Sequence, residues 1–283
     1  QACVENIALK DTTVVVDTAK LPPSTPKESE PLGDIRLPLG VAVKNIRVEN
    51  LHVKVDEMDI ALNRFQSGIS GVEKHIQLSP TMLDGLTLSL PPVQAGSSAP
   101  NSAEVQKSET VDWASIKQQL AKPLLTKLDP IKLPLHFDIP EFKASNIVLE
   151  QKVIQQDGST TPAPLVKVSS IDLQGKTDDN AIDLTRLAIQ SDKGNVAGQG
   201  KLTLSDNYPL DWVLKADSPE LKEFKLPASK LDAQLSGELF GTTHLAIQTD
   251  GAVNAQIQGS LQLAEPKTPL NLTVKSDRVI YPF

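Results

Sequence analysis

From Leu231 to Leu263 every second residue is uncharged and most are apolar: Leu231, Ala233, Leu235, Leu239, Leu245, Ile247, Val253, Ile257, Leu261 and Leu263, with Gly and Thr between them. The intervening positions include Asp232, Gln234, Glu238, His244, Gln248, Asp250, Gln256 and Gln258. Successive strand side chains point to opposite faces, so a period of two means one apolar face and one wet face. The phase survives two Gly-bearing turns, Phe240-Gly241-Thr242 and Asp250-Gly251-Ala252. A two-residue hairpin loop would flip it, whereas a three-residue loop separates facing residues by four positions and keeps it. The stretch predicts three strands in a meander, all presenting apolar side chains to the same side.

The same alternation runs through most of the 283 residues. It begins in Val4–Leu9 and Thr12–Val16 and returns after a Pro-rich loop, Leu21 to Gly33. Val41, Val43, Ile46 and Val48 lead to a jump of phase at Glu49-Asn50, after which Leu51, Val53 and Val55 continue. Such a jump marks a bulge or a turn. Ile171, Leu173, Leu202 and Leu204 carry the pattern into the C-terminal half. Turn signals every 8–12 residues predict roughly twenty short strands and an all-β class.

Two stretches differ. Residues 92–110, rich in Gly, Ser, Ala and Pro, read as a flexible linker. In 111–129, Trp113, Ile116, Leu120, Leu124 and Leu128 recur at spacings of three and four, the pattern of an amphipathic helix over Val111–Leu128 with Pro123 inside it. Such a helix caps the end of a sheet more readily than it lies on a membrane. Flanking these are a first β module, 1–91, and a second, 130–283. The second repeats the first: Ile131–Ile139 lies over Ile35–Val43, and Ala144–Leu149 over Val48–Val53, at one constant offset. An internal repeat points to a stacked, elongated architecture.

Catalytic and metal signatures are absent. No phosphate-binding glycine loop, nucleophile elbow or H-E-x-x-H occurs. The four histidines, His52, His75, His136 and His244, are dispersed, and the single cysteine, Cys3, forms no internal disulfide. Cys3 reads as a small apolar strand residue, with a reactive thiol as the other possibility. The net charge of −7, spread along the chain, argues against a nucleic-acid partner. No apolar run approaches the ~20 residues of a membrane-spanning helix. The sequence predicts a non-enzyme with no cofactor and no metal.

The apolar face is then the candidate site. Two sheets covering each other in a sandwich would account for it. The other reading is an elongated, curved antiparallel sheet whose apolar face lines a groove. Few aromatics (4%) are present to fill a wide interior, and the repeat implies elongation. Lining residues would be Val41, Val43, Ile46, Val48, Leu51, Val53, Ile171, Leu173, Leu202, Leu204, Leu231, Leu235, Leu239, Leu245, Ile247, Val253, Ile257, Leu261 and Leu263. Such a groove suits phospholipid acyl chains. Burying one methylene is worth ~0.8 kcal/mol, and a ~16-carbon chain on the order of 10 kcal/mol.

Ile35–Val55, Pro80–Pro91, Leu133-Pro134-Leu135, Val168–Leu173, Leu204–Asp211 and Val279–Phe283, in that order, resemble the N-terminal periplasmic portion of the TamB family. These are inner-membrane subunits of the translocation and assembly module, in the AsmA-like group of bridge-like lipid-transfer proteins. The resemblance implies a periplasmic β groove, anchored in the inner membrane by a segment outside this chain, that carries phospholipid toward the outer membrane. It also implies partnership with the barrel subunit TamA in autotransporter assembly, through a C-terminal region outside this chain.

Overall fold

The computed structural model describes residues 2–20, 35–94, 123–220 and 227–279. The Pro-rich loop, the linker beyond Gln94, residues 111–122 of the expected helix and the last four residues lie outside them. The described residues are all β apart from a single 3-10 turn, Thr18–Lys20. Two compact units emerge. Unit 1 comprises 1–93 with 132–199, and unit 2 comprises 94–131 with 200–283.

Unit 1 carries β1 (Ala2–Val16), β2 (Leu37–Val55), β3 (Met58–Glu73), β4 (His75–Leu78), β5 (Thr81–Gln94), β6 (His136–Ile154), β7 (Thr160–Asp178), β8 (Ala181–Ser191) and most of β9 (Gly194–Thr203). Hydrogen bonding runs β1-β2-β3-β4-β6-β7-β8-β9, with β5 paired to β3 and β6. Unit 2 holds β10 (Pro209–Ser218), β11 (Ser229–Glu238), β12 (Thr243–Asp250), β13 (Val253–Leu261) and β14 (Leu270–Val279), in chain order. β1 runs parallel to β2 and β4 parallel to β6, so the pairing is mixed rather than antiparallel throughout.

Among the described residues, fourteen strands stand where roughly twenty short ones are expected along the chain. Several expected turns are irregularities inside long strands. β2, β6 and β7 each span 19 residues. The phase jump at Glu49-Asn50 is a single left-handed residue, Asn50 (φ 53), and β2 continues through it. The two runs expected over Val4–Val16 are one strand, β1, with Asp11 (φ 49) inside it.

The internal repeat has a structural counterpart. β2 shifts register between Val43 and Ile46, and β6 shifts between Ile139 and Phe142, the residues aligned with them. Asn50 and Asn146 (φ 56) are aligned as well, and both are left-handed.

The described part of the expected helix, Pro123–Leu128, is not helical. Pro123 has no N–H, and donors further along bond to carbonyls in the connections after β13 and β9 instead of to carbonyls four residues back. Leu125 N donates to Leu263 O at 3.0 Å and Ile131 N to Leu204 O at 2.8 Å. This strap lies beside a small local core. Tyr208 donates its hydroxyl to Asp129 O at 2.7 Å, and its ring meets Phe240 edge-on at 4.8 Å. Among the described residues, Ala144, Leu204, Tyr208, Leu210 and Phe240 are the buried apolar side chains, and four of the five belong to this end of unit 2.

Candidate functional site

In unit 2 the register places apolar side chains in rows across five strands. Trp212 faces Leu235, Leu235 faces Leu245, Leu245 faces Gly259 and Gly259 faces Leu272. The next row reads Leu214, Ala233, Ile247, Ile257, Val274, and another reads Leu210, Gly237, Thr243, Leu261, Leu270. Directly opposed residues share a face, so these rows form one uncharged surface. The other face carries Asp211, Lys215, Asp232, His244, Gln248, Gln256 and Lys275. The loop after β11 is three residues long, as the phase requires, and both turns are centred one residue from the expected position. Glu238 N bonds to Thr242 O around Leu239–Gly241, and Thr249 pairs with Ala255 around Ala252.

The apolar rows are not a closed core. Leu235 is 37% exposed, Val253 40% and Val274 61%. Leu231, Leu245, Ile247, Ile257 and Leu261 are half-buried, as neighbours on the same sheet would leave them.

Unit 1 builds its apolar rows differently. Leu9, Val48, Phe65 and Leu83 lie in one row, and Val14, Val53, Ile60 and Leu88 in another. Between them the strand phase slips, and it slips along one line. Asp11 lies beside Asn50 and donates nothing but accepts from Asn50 Nδ2 at 2.7 Å. Gly85 (φ 71) faces Asn63, and a Cβ added to Gly85 would overlap that side chain. Asp84 Oδ1 accepts from Ser145 Oγ at 2.6 Å and from Asn146 Nδ2 at 2.7 Å. These bonds, the serine's first, hold the Asp84 carboxyl below the usual carboxylate range. Left-handed backbone is costly for most side chains and tolerated by Asn, Asp and Gly. Asp11, Asn50, Gly85 and Asn146 thus form a crease written in the residue types that permit it, with Asn63 lying between Asn50 and Gly85 in ordinary backbone. A second block continues the face: Phe142, Leu173, Leu187, then Ala144, Ile171, Ile189.

The structure brings Val41, Val43, Ile46, Val48, Leu51 and Val53 onto the rows of unit 1, with Ile171 and Leu173 in the second block. It brings Leu231, Leu235, Leu245, Ile247, Ile257 and Leu261 onto the rows of unit 2, with Val253 at the start of β13. Leu239 and Leu263 sit in connections rather than strands. Leu202 lies in β9, and Leu204 just beyond it belongs to the buried local core. The expected lining set leaves out Trp212 and Leu214, although the alternation runs through them, and Phe65 and Leu83, which pairing of neighbouring strands reveals. It also left the histidines dispersed, whereas the fold sets His75 against His136 with ring centroids 4.7 Å apart.

The TamB N-terminal domain family matches the chain over residues 1–283. The chain belongs to the TamB family. It is 34% identical over 289 residues to the translocation and assembly module subunit TamB of Haemophilus influenzae, a match covering all of this chain and 22% of that protein. The chain therefore spans about a fifth of the length of this TamB relative. No solved structure matches it. Among the described residues of this TamB-family chain, no helix is long and apolar enough to cross a membrane.

Proposed function

We propose that the apolar rows of both units are walls for phospholipid acyl chains, in a periplasmic segment of an inner-membrane-anchored bridge that carries lipid toward the outer membrane. The observation that carries this reading is the unbroken uncharged surface from β10 to β14, which is buried at Leu210 and Thr243 but stays open along the rows of Leu235 and Ile247, with Leu235 and Val274 exposed. An acyl chain has no fixed polar anchor. It needs a continuous apolar face without a charged step, because each methylene removed from water contributes ~0.8 kcal/mol. Ordinary monomers do not leave such surfaces open without a use for them.

The test is made in the full-length protein. Photoreactive analogues at Leu235, Ile247 and Ile257 are expected to crosslink phospholipid, and at Gln248, on the other face, not to. Ile247→Asp should abolish lipid transfer while Gln248→Asp leaves it intact. Equal crosslinking from both faces, or unimpaired transfer by Ile247→Asp, sinks the reading.

A second reading has its own observation. The H. influenzae relative is named as a subunit of a translocation and assembly module. Among the described residues, β1 pairs with β2 alone, leaving one edge of a 15-residue strand unpaired. An edge of that length can accept a client strand. On this reading the chain acts with a TamA-type barrel as a scaffold for outer-membrane protein assembly. Proline substitutions in β1 would then impair assembly and spare lipid transfer.

A further inference from the structure

Outside the apolar faces, unit 1 contains one polar cluster built around a buried imidazole. His136 opens β6 and is 8% exposed. Its backbone N–H donates to Lys74 O at 2.8 Å, beside the three-residue parallel contact between β4 and β6. Its ring packs edge-on against His75 at an interplanar angle of 74°. Nε2 lies 2.8 Å from Asp179 Oδ1, in the turn between β7 and β8. A carboxylate only accepts, so Nε2 carries the proton in that bond, and the neutral tautomer that fits it has its lone pair on Nδ1. Nδ1 is shielded from water and has no hydrogen-bond partner. It faces Asp178 Oδ1 at 4.0 Å.

We propose that His136 Nδ1 and the Asp178 carboxylate bind a divalent ion of the zinc class, with Asp179 orienting the imidazole through Nε2. A histidine that ligates a metal through one nitrogen typically donates the other N–H to a carboxylate, which fixes its tautomer and raises its basicity. The Asp179–His136 bond is that arrangement, and it leaves the second nitrogen as an acceptor with nothing to accept.

Bonds of about 2.0–2.2 Å to both ligands place the ion between atoms now 4.0 Å apart, after a small inward swing of the carboxylate. The Asp178 side chain is 76% exposed, and its Oδ1, which accepts from Asp179 N at 2.7 Å, offers the ion its second lone pair while water completes the coordination from the open side. His136, Asp178 and Asp179 each offer a ligand atom within 4.8 Å of the others. Lys74 lies 3.8 Å from Asp179, the orienting carboxylate. An imidazole ligand favours zinc-class ions over magnesium and calcium, which prefer all-oxygen shells. A bound ion would fasten the start of β6 to the β7–β8 turn, beside the narrow β4–β6 contact.

Titrating ZnCl₂ into the metal-free 283-residue chain by calorimetry tests this. One equivalent is expected to bind, MgCl₂ should not compete, and CoCl₂ should give a visible absorption band of nitrogen and oxygen ligation. Asp178→Asn, at the exposed last residue of β7, should weaken Zn²⁺ at least tenfold, and Asp179→Asn about 10–100-fold. Loss of binding in both variants with unchanged circular dichroism supports the site. No heat with up to about 1 mM Zn²⁺, or undiminished binding by Asp178→Asn, overturns it.

Discussion

The two units reach a similar apolar face by opposite routes. In unit 2 the strands β10 to β13 pair without a register shift, and the alternation of the sequence is the alternation of the sheet. In unit 1 the strands are longer and every one from β1 to β3, with β5 and β6, loses phase along the crease. The lost phase is recovered because neighbouring strands slip together. A single bulge would rotate one strand's apolar set to the wrong face. Left-handed residues in β1, β2, β5 and β6, held at the same level, turn these strands together, and β3 crosses that level at Asn63 without one. Continuity of a sheet face is therefore a property of paired strands, not of any one strand's sequence.

The sharpest break of this comparison lies in unit 2, at its small core. Phe240, 7% exposed and stacked edge-on with Tyr208, is among the few enclosed apolar side chains described. Phe240→Ala should cost about 3–5 kcal/mol in denaturant unfolding, the range for a buried aromatic truncated in a core. The loss should fall on β10–β14, read by hydrogen exchange, and leave exchange in β2 and β3 unchanged. A uniform loss across both units would mean that they are one cooperative body.

The crease is the matching weak point of unit 1. Gly85→Val combines a left-handed backbone with overlap against Asn63, and about 2–4 kcal/mol of destabilisation is expected. Asn50→Val meets the backbone penalty without that overlap and should cost about 1–2 kcal/mol, while Asn50→Gly should cost less than Asn50→Val. The Gly variant keeps the crease and loses only the bond to Asp11. If Gly and Val at position 50 are equally harmful, the side-chain bond matters and the left-handed backbone does not.

These expectations also mark what the sequence could disclose. The all-β class, the repeat and the meander of unit 2 follow from alternation, because a one-residue period error would have put Asp232 or Gln248 among Leu235 and Ile247. The phase jump at Asn50 was visible, but its meaning was not. One strand cannot distinguish a turn from a left-handed residue, and only the aligned Asp11, Gly85 and Asn146 do so. The parallel pairings of β1 and β4 were hidden, since alternation carries no direction. The helix over Val111–Leu128 failed in its described part because periodicity weighed Leu124 and Leu128 and underweighed Pro123. The pairing of His136 with Asp178 and Asp179 depends on contacts more than forty residues apart and leaves no local signal.

The smallest expected effect concerns acid. The carboxylates held below their usual range by hydrogen bonds, Asp56, Asp84, Asp157 and Asp179, all lie in unit 1. Asp84 is the one that ties the crease of β5 to β6, through Ser145 and Asn146. Its folded-state pKa is depressed, so its ionised form is favoured by folding. The stability it contributes is fully present above the unfolded carboxylate value near ~3.9 and disappears as pH falls through the lower folded value. Asp84→Asn removes the charge that Ser145 and Asn146 bind, and should lower the melting temperature by roughly 2 °C at neutral pH. Below the folded pKa the wild-type carboxyl is itself neutral, so the two proteins should converge. Melting curves of both from pH 7 down to pH 2 read this directly. A gap that persists unchanged into acid would mean that Asp84 acts through its shape at the crease and not through its charge.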